Sequence, residues 1–482
     1  MPTMTTIPLL LLLLLLWRWT RGNVLAIVAF TSIFDAASAL NFGALGVSPW
    51  LMALAICLPL RIAQGRQRTG IAPGINKPGL YLVIAFYLCE AFSGVVYPFV
   101  FAGIPVLHLT DLVPLQWGLP NLAQLCYLAA ASVIFMLTIT STRDELNTAF
   151  SWYLRGCITA TVIAAYQLAN AVVHVPYPDA LFYSNTGHAI YHAYKINGMW
   201  RLNSTFTEAS DMAGSIVPGV AMMGWNLMKN RIKLSSLVIF ASMLIAVLMT
   251  LSTTGYLCLA LLAAIAVLGY VRQVAATRGA SPSKLLVLVL LFATASTALI
   301  ASKNVRTQTY KIISSVILNK KDSDSYKARE ESHSQALKTL SDTSYLGAGL
   351  GSVRASGMAY TILASSGVLG LLLFTLAFLA LFLPIMHPAR TTSKENKSSA
   401  QRTLLSLSMF VTGMVLAGSE PIAPVLWLLF GATLIYPGFT DSLPAELSPI
   451  YPRHQGRAVP DRLARPDWAE SLAVRTTQAR QP

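Results

Sequence analysis

The chain has 482 residues, 55% hydrophobic and only 11% charged, with a formal net charge of +15. A soluble domain carries about 25% charged residues, so the composition excludes a water-soluble globular fold with one large buried core. The positive balance fits basic loops of a bacterial-type membrane protein rather than nucleic-acid binding. The five cysteines (Cys57, Cys89, Cys126, Cys157 and Cys258) lie in apolar runs without CxxC or paired spacing, which excludes a disulfide framework and a cysteine metal cluster.

The chain opens on eight leucines, Leu9–Leu16. Basic residues follow the run rather than precede it, and no A-x-A cleavage site appears. The run is too short to span comfortably and predicts a short helix paired with the next one. Spans then follow at about Val24–Gly43, Trp50–Leu60, Leu80–Gly103, Leu122–Thr140, Tyr153–Val173, Met212–Met228, Leu234–Leu251, Tyr256–Tyr270, Leu285–Ile300, Met358–Leu383, Thr403–Gly418 and Pro424–Tyr436. The pattern predicts an all-α polytopic membrane protein with about 12 transmembrane helices over residues 1–437, because lipid makes every backbone polar group find its partner within the span.

Lys and Arg orient the spans. Basic clusters stand at Arg18/Arg21, Arg61/Arg66/Arg68/Lys77, Arg143/Arg155, Lys229/Arg231/Lys233, Arg272/Arg278/Lys284 and Arg390/Lys394/Lys397/Arg402. They mark every second connection as cytoplasmic. The Pro- and Arg-rich tail, 438–482, is then a cytoplasmic disordered segment. Two larger loops face the other side, 174–211 and 302–357. The second holds nine Lys/Arg against five acids. Positive charge on an outward loop runs against the orienting bias, and an anionic ligand accounts for it.

The first outer loop mixes aromatic residues, among them Trp200, with His188, His192, Lys195 and Arg201. Aromatic faces stack on sugar C–H faces while polar groups bond hydroxyls. The loop ends in "RLNSTFTEAS". Arg201 and Glu208 stand seven apart there, which on a helix puts them on one face as a salt bridge capping the span. Alternatively, Arg201 is a bidentate phosphate fork and Glu208 a base tuned by burial. In the second loop, Tyr326–Leu340 reads as an amphipathic helix with Lys327 and Arg329 near its start. "GAGLGS" after it has no preceding strand, so it is a turn into the next span rather than a nucleotide loop. Asp35 and Glu90 are the acids placed inside spans.

Together "RLNSTFTEAS" and "SYKAREESHSQALKTLSDTSYLGAGLGS…TILASSGVLGLLLF" resemble the motifs of the bacterial O-antigen polymerase and ligase superfamily. The resemblance covers about Met199 to Phe382. It implies a GT-C-like fold and a metal-independent, cofactor-free inverting glycosyltransferase. The implied substrate is an undecaprenyl-diphosphate-linked glycan on the periplasmic face of the inner membrane. The family arginines fall on Arg201 and Arg329, and the family acid on Glu208. Lys195, Trp200, Lys327, Arg354, Tyr360, His188 and His192 are the substrate-binding candidates; His333 and His192 are second choices as base. The sequence departs from the pattern twice. "SVRASGMAY" lacks the histidine that ligases carry after the glycine turn, and Arg354 and Tyr360 stand there instead. "LSTTGY" has Thr254 where the family has an arginine. The missing histidine favours a polymerase of O-antigen, capsule or exopolysaccharide over a lipid A–core ligase, while Thr254 leaves one anionic contact missing or supplied by Arg354. A flippase or transporter, the third reading, places its cations inside spans. The implied partners are the bilayer, the lipid-linked glycan, a chain-length regulator and a flippase.

The charge alternation places both termini in the cytoplasm and 302–357 outside. A single cysteine introduced at Ser323 should label from the outer side of the membrane; labelling from the cytoplasmic side alone overturns the topology.

Overall fold

The computed structural model describes residues 1–43, 45–65, 71, 74–108, 111–186, 194–196, 199–229, 233–277, 324–386, 394–418 and 421–438. The expected span Leu285–Ile300 and the tail beyond Gly438 lie outside these residues. The described part is mostly helical, and four helices are long and apolar enough to cross a membrane: Lys77–Val100, Leu119–Ile139, Arg143–Val173 and Met358–Ile385.

In chain order the elements are α1 (Thr6–Trp19), α2 (Val24–Thr31), the hairpin β1 (Leu40–Phe42) and β2 (Leu45–Val47), α3 (Pro49–Ala63) and α4 (Lys77–Val100). A second hairpin follows, β3 (Pro105–His108) and β4 (Asp111–Pro114), then α5 (Leu119–Ile139), α6 (Arg143–Val173) and the single turn α7 (Asp179–Phe182). A third hairpin, β5 (Tyr194–Ile196) and β6 (Met199–Arg201), leads to α8 (Ala209–Lys229), α9 (Leu234–Leu248) and α10 (Thr253–Thr277). The last described elements are α11 (Asp324–Asp342), α12 (Met358–Ala380), α13 (Phe382–Met386), α14 (Lys394–Leu416) and α15 (Pro424–Ile435).

The leucine run is sorted by helical position. In α1, Leu9, Leu13 and Leu16 are buried while Leu10, Leu11, Leu14 and Leu15 are exposed. Two short helices form the centre. Every residue of α2 is buried, and so is every residue of α15, as expected of helices that are apolar on all sides. Around α15, Trp427 stacks within an aromatic group of Phe86, Tyr87, Phe135 and Phe430. Its indole N–H donates to the Pro421 carbonyl at 2.7 Å, which satisfies the polar tip of a buried ring. At the start of α6, Thr142 and Glu145 form a capping box, and Glu145 also pairs with Arg61 at 2.8 Å.

Two expectations are corrected. The span expected over Val24–Gly43 stops at Thr31. Past Ser32 the backbone is diverted to other partners: the Ala36 N–H donates to Thr205 O (2.9 Å), and the Asn185 N–H donates to Ala36 O (3.1 Å). Asp35 therefore lies on a linker at the end of the bundle, not inside a span. Arg201 and Glu208 share no helix either, since Arg201 ends β6 and Glu208 precedes α8.

The expected amphipathic helix is α11, which packs on α12 and β3. The glycine turn after it is structural. Gly347, Gly349 and Gly351 all have positive φ (86°, 98° and 84°). A Cβ on them would lie 2.5 Å from Ser365 O, 2.7 Å from Ser93 O and 2.8 Å from Pro120 O, respectively. Only glycine can follow this path into the groove between α4, α5 and α12. There the turn stitches a break in α12, whose Gly367 adopts φ 71° and ψ −162°. The N–H groups of Ala348 and Gly349 donate to Ala364 O and Ser365 O (2.7 and 2.9 Å), and the Val368 N–H donates to Tyr345 O (3.1 Å). Glu90, fully buried on α4, meets the same break: Ser366 Oγ donates to it at 2.5 Å and Ser365 Oγ at 3.5 Å.

Gly349→Ala should lower thermal stability in detergent, with about 1–2 kcal/mol from the left-handed backbone alone and more from the clash. Gly269→Ala, in an exposed turn of α10 with open space around it, should be neutral or mildly stabilising. Equal melting temperatures for the two variants would refute the role given to the turn.

Candidate functional site

The segment after β6 is buried throughout, from Leu202 (2% exposed) to Thr207 (7%). Its polar side chains are consumed by the fold. Gln167 on α6 is the anchor. Its Nε2 donates to Asn203 Oδ1 (2.8 Å), and its Oε1 accepts from the N–H groups of Asn203 and Ser204 (3.2 and 3.0 Å). Asn203 Nδ2 donates to Phe206 O (2.8 Å) and Ser204 Oγ to Ala160 O (2.6 Å). Thr205 Oγ1 donates to Ile33 O at 2.5 Å. The Tyr183 hydroxyl donates to Ser204 O at 2.6 Å; burial pushes its phenol far up, so it stays a donor. The Asn-Ser-Thr run thus ties α6 to the linker after α2, and Ser204 pays a left-handed φ of 53° for it.

Because this splice is rigid, the residues on either side of it point to different partners. On one side, Arg201 Nε donates to Thr250 O (3.1 Å), just past the carbonyl end of α9. That end of a helix favours a cation. The adjoining hairpin pairs Lys195 with Trp200, and Lys195 Nζ sits 4.6 Å over the Trp200 ring. On the other side, Glu208 meets Arg329 of α11, with Nη2 to Oε2 at 3.6 Å. Ser210 Oγ donates to the same Glu208 oxygen (2.9 Å) and accepts from Arg329 Nη2 at 3.4 Å. Arg329 Nη1 donates to Leu416 O (3.4 Å) at the carbonyl end of α14. Both arginines therefore sit at helix C-termini, at the end of the bundle where α8 begins.

Thr207 and Asp211, four residues apart, bring in a third acid. Thr207 Oγ1 lies 2.8 Å from Asp211 Oδ2 and 3.2 Å from Asp35 Oδ2. Asp211 stands in the first turn of α8, ahead of its apolar stretch. Burial, then the charges of Glu208 and Asp35, push its carboxyl well above the usual range against the opposing pull of Thr207 and Arg329.

On the far side of Arg329, one turn along α11, His333 stacks on Tyr360 with centroids 3.9 Å apart. Its Nε2 lies 2.6 Å from Ser356 O. A carbonyl only accepts, so Nε2 carries the proton and Nδ1 is left as an acceptor in the neutral ring. Lys327 is exposed and Arg354 half-buried. His188 and His192 lie outside the described residues. Among the described residues, no group of three or more His, Cys, Asp and Glu has the arrangement of a metal-ligand set.

The structure brings Arg329, Glu208 and Ser210 together and places His333 and Tyr360 beside them. It ties Arg201 to the turn after α9 instead of to Glu208. Three participants were missed in the sequence: Thr207, Asp211 and Gln167. The Thr207/Asp211 pair left a faint signal, an i, i+4 spacing on one face of a helix start; Gln167 left none. No protein-family model matches the chain, and no curated protein sequence matches it.

Asn203→Ala should remove the buried acceptor of Gln167 Nε2 and the side-chain donor to Phe206 O. The expected loss is about 1–3 kcal/mol of stability, read as a lower melting temperature in detergent. Gln167→Ala combined with Asn203→Ala should cost less than the sum of the singles, and strict additivity would contradict the splice.

Proposed function

We propose that the chain polymerises polyprenyl-diphosphate-linked oligosaccharide repeat units at the outer face of the bacterial inner membrane. The observation that carries this reading is the meeting of Arg329 with Glu208 and Ser210. Two loop segments over a hundred residues apart, each bearing one of the resembling motifs, share one charged site at the end of an apolar bundle. A diphosphate is the anion best suited to such a site, since its carrier lies in the bilayer while its headgroup lies at helix ends.

The reaction is an inverting transfer. A hydroxyl of the acceptor sugar attacks the anomeric carbon of the donor. The bond from that carbon to the diphosphate oxygen breaks, and its electron pair leaves with the diphosphate. Arg329 and Arg201 meet the growing negative charge. A fixed donor at such a position contributes about a hundred- to a thousand-fold in rate, and guanidinium forks bind phosphate oxygens in pairs. Lys195 over Trp200 offers a cation beside an aromatic face for sugar. Glu208 is the base that the resemblance implies. Its Oε2 is also engaged by Arg329 and Ser210, so it doubles as the residue that holds Arg329 in place.

One observation favours a second reading, transfer of the finished glycan to lipid A–core. His333 reaches the residues just after the glycine turn from α11, and Nδ1 remains an acceptor there. The two readings separate in cells. A polymerase defect leaves single repeat units on the acceptor and no ladder, whereas a ligase defect leaves long chains on the carrier lipid.

Arg329→Ala and Arg201→Ala should each abolish the polymer ladder while protein levels in the membrane stay normal. The Lys variants should also be poor, because an ammonium cannot fork onto two oxygens. A normal ladder from well-expressed Arg329→Ala protein would rule out the proposal.

A further inference from the structure

We infer that the cavity between the β3–β4 hairpin, the start of α5 and the glycine turn binds an uncharged sugar residue of the glycan. The inference rests on the glycosyl-transfer reading above and adds a sugar subsite to the charged site at Arg329.

The cavity has a volume of about 330 Å³, inside the range of small-molecule sites, about 300–1,000 Å³. Val106 and Val113 are cross-strand partners in the hairpin, and both line the cavity together with Pro114. Its polar groups come from Gln116, Asn121 and Ser352. The last of these is delivered by the glycine turn. A Cβ on Gly351 would lie 2.8 Å from Pro120 O and 2.9 Å from Asn121 Cα, so the turn lies directly against the start of α5 and its next residue reaches Asn121.

A count of hydrogens shows what is left for a ligand. Asn121 is 2% exposed and fully engaged. Its Oδ1 accepts from the Gly118 N–H (3.0 Å), and its Nδ2 donates to Leu350 O (2.9 Å) and to Ser352 Oγ (2.8 Å). Ser352, 7% exposed, is therefore the acceptor in that bond. Its own hydroxyl hydrogen has no acceptor among the described residues. Buried polar groups of folded proteins are nearly always bonded, so this hydrogen calls for a partner from outside the chain. Gln116 is exposed, and its amide likewise has no partner among the described residues. The cavity thus offers one fixed hydroxyl donor and one amide that both donates and accepts.

These features select the ligand. No residue lining the cavity carries a charge, so an ionic group would enter it unpaired, which is costly. An acyl chain would leave the Ser352 hydrogen unbonded. A sugar ring satisfies both demands, with C–H faces for the valines and Pro114 and hydroxyl edges for Ser352 and Gln116. The cavity also stands at the right level. Trp117, next to Gln116, stacks on Phe99 near the end of α4 (6.1 Å, 12°), and both rings are exposed, as in the aromatic belts of a membrane surface. Finally, α11 ties the cavity to the charged site. Val106 belongs to one small apolar cluster with Ala336 of α11 and Val353. Tyr360 packs against that cluster and stacks on His333. Ala336 stands seven residues along the helix from Arg329, about 10 Å at 1.5 Å of rise per residue. One helix thus runs from the proposed diphosphate contact to the wall of the cavity, and a single glycan can be held at both.

The test uses the full chain in lipid nanodiscs, free of glycoside detergents that would compete for the cavity. The probe is the repeat-unit oligosaccharide, released from its carrier lipid by mild acid and tritiated, and binding is read by equilibrium dialysis. Without a diphosphate the probe reports the sugar subsite alone. Wild type should bind it saturably. Val113 is 37% exposed at the rim, so Val113→Trp fills the cavity without entering the core. That variant should bind at least about tenfold more weakly. Gln116→Ala and Ser352→Ala each remove a hydrogen bond to the sugar and should weaken binding by about three- to tenfold. Wild type without saturable binding, or a Val113→Trp protein with wild-type affinity, overturns the subsite. If Val113→Trp fails to fold, wild-type affinity in Gln116→Ala overturns it as well. The polymer ladder in the same host keeps the two readings apart. A normal ladder from Arg329→Ala with sugar binding lost in Val113→Trp overturns the polymerase reading and leaves the subsite standing. A ladder lost in Arg329→Ala with sugar binding unchanged in Val113→Trp overturns the subsite alone.

Discussion

The rest of the site depends on one buried amide. Gln167, 4% exposed on α6, bonds both ends of its side chain to the strip Asn203–Ser204. A buried amide left unpaired is costly, so the strip has one position in which its polar groups are satisfied. That position decides where the chain enters β6 before it and α8 after it. Arg201 is delivered to the carbonyl end of α9 and Glu208 to Arg329. Asp35 is drawn in by the same splice, because Thr205 bonds the backbone on either side of it. A motif whose charged residues suggest chemistry thus spends its middle on structure, and its chemistry falls to the flanks.

The second half of the site is brought in by backbone rather than side chains. The turn Gly347–Gly351 threads between α4, α5 and α12 so tightly that a Cβ would strike a carbonyl oxygen at three positions. The turn fixes the C-terminal end of α11, and with it the height at which Arg329 and His333 stand over the start of α8. The broken α12 is the counterpart of this docking. Its orphaned N–H and C=O groups find partners in the turn, as irregular backbone within an apolar bundle requires, and the Glu90 carboxylate receives the hydroxyls of Ser365 and Ser366 at the break.

Helix ends supply the electrostatics. Arg201 and Arg329 each donate to a carbonyl at the C-terminal end of a helix, α9 and α14. The start of α8 gathers Glu208 and Asp211, where a helix N-terminus favours negative charge. Cations and acids are therefore sorted by helix polarity before any ligand arrives. Arg329 is held by the Leu416 carbonyl and the Glu208 carboxylate, and Arg201 donates to the Thr250 carbonyl.

By itself the sequence determined the class of molecule and most of its helices. An apolar content of 55% with 11% charge admits little besides a helical membrane protein. The runs that became α3 to α6, α8 to α10, α12, α14 and α15 were readable because burial in lipid and burial in protein demand the same apolar residues. The amphipathic α11 and the glycine turn were readable from period and from φ requirements. What the tertiary structure alone decided is pairing. The run from Val24 is as apolar as its neighbours, yet it ends at Thr31 because Ile33 and Ala36 have partners 170 residues away. Arg201 and Glu208 looked like each other's partners by spacing, but Arg201 ends a β-strand and a buried splice separates it from Glu208. Asp35, Thr207 and Asp211 meet across that same gap in sequence. Hydrogen bonds between distant segments leave no periodicity, so nothing local in the chain announces them.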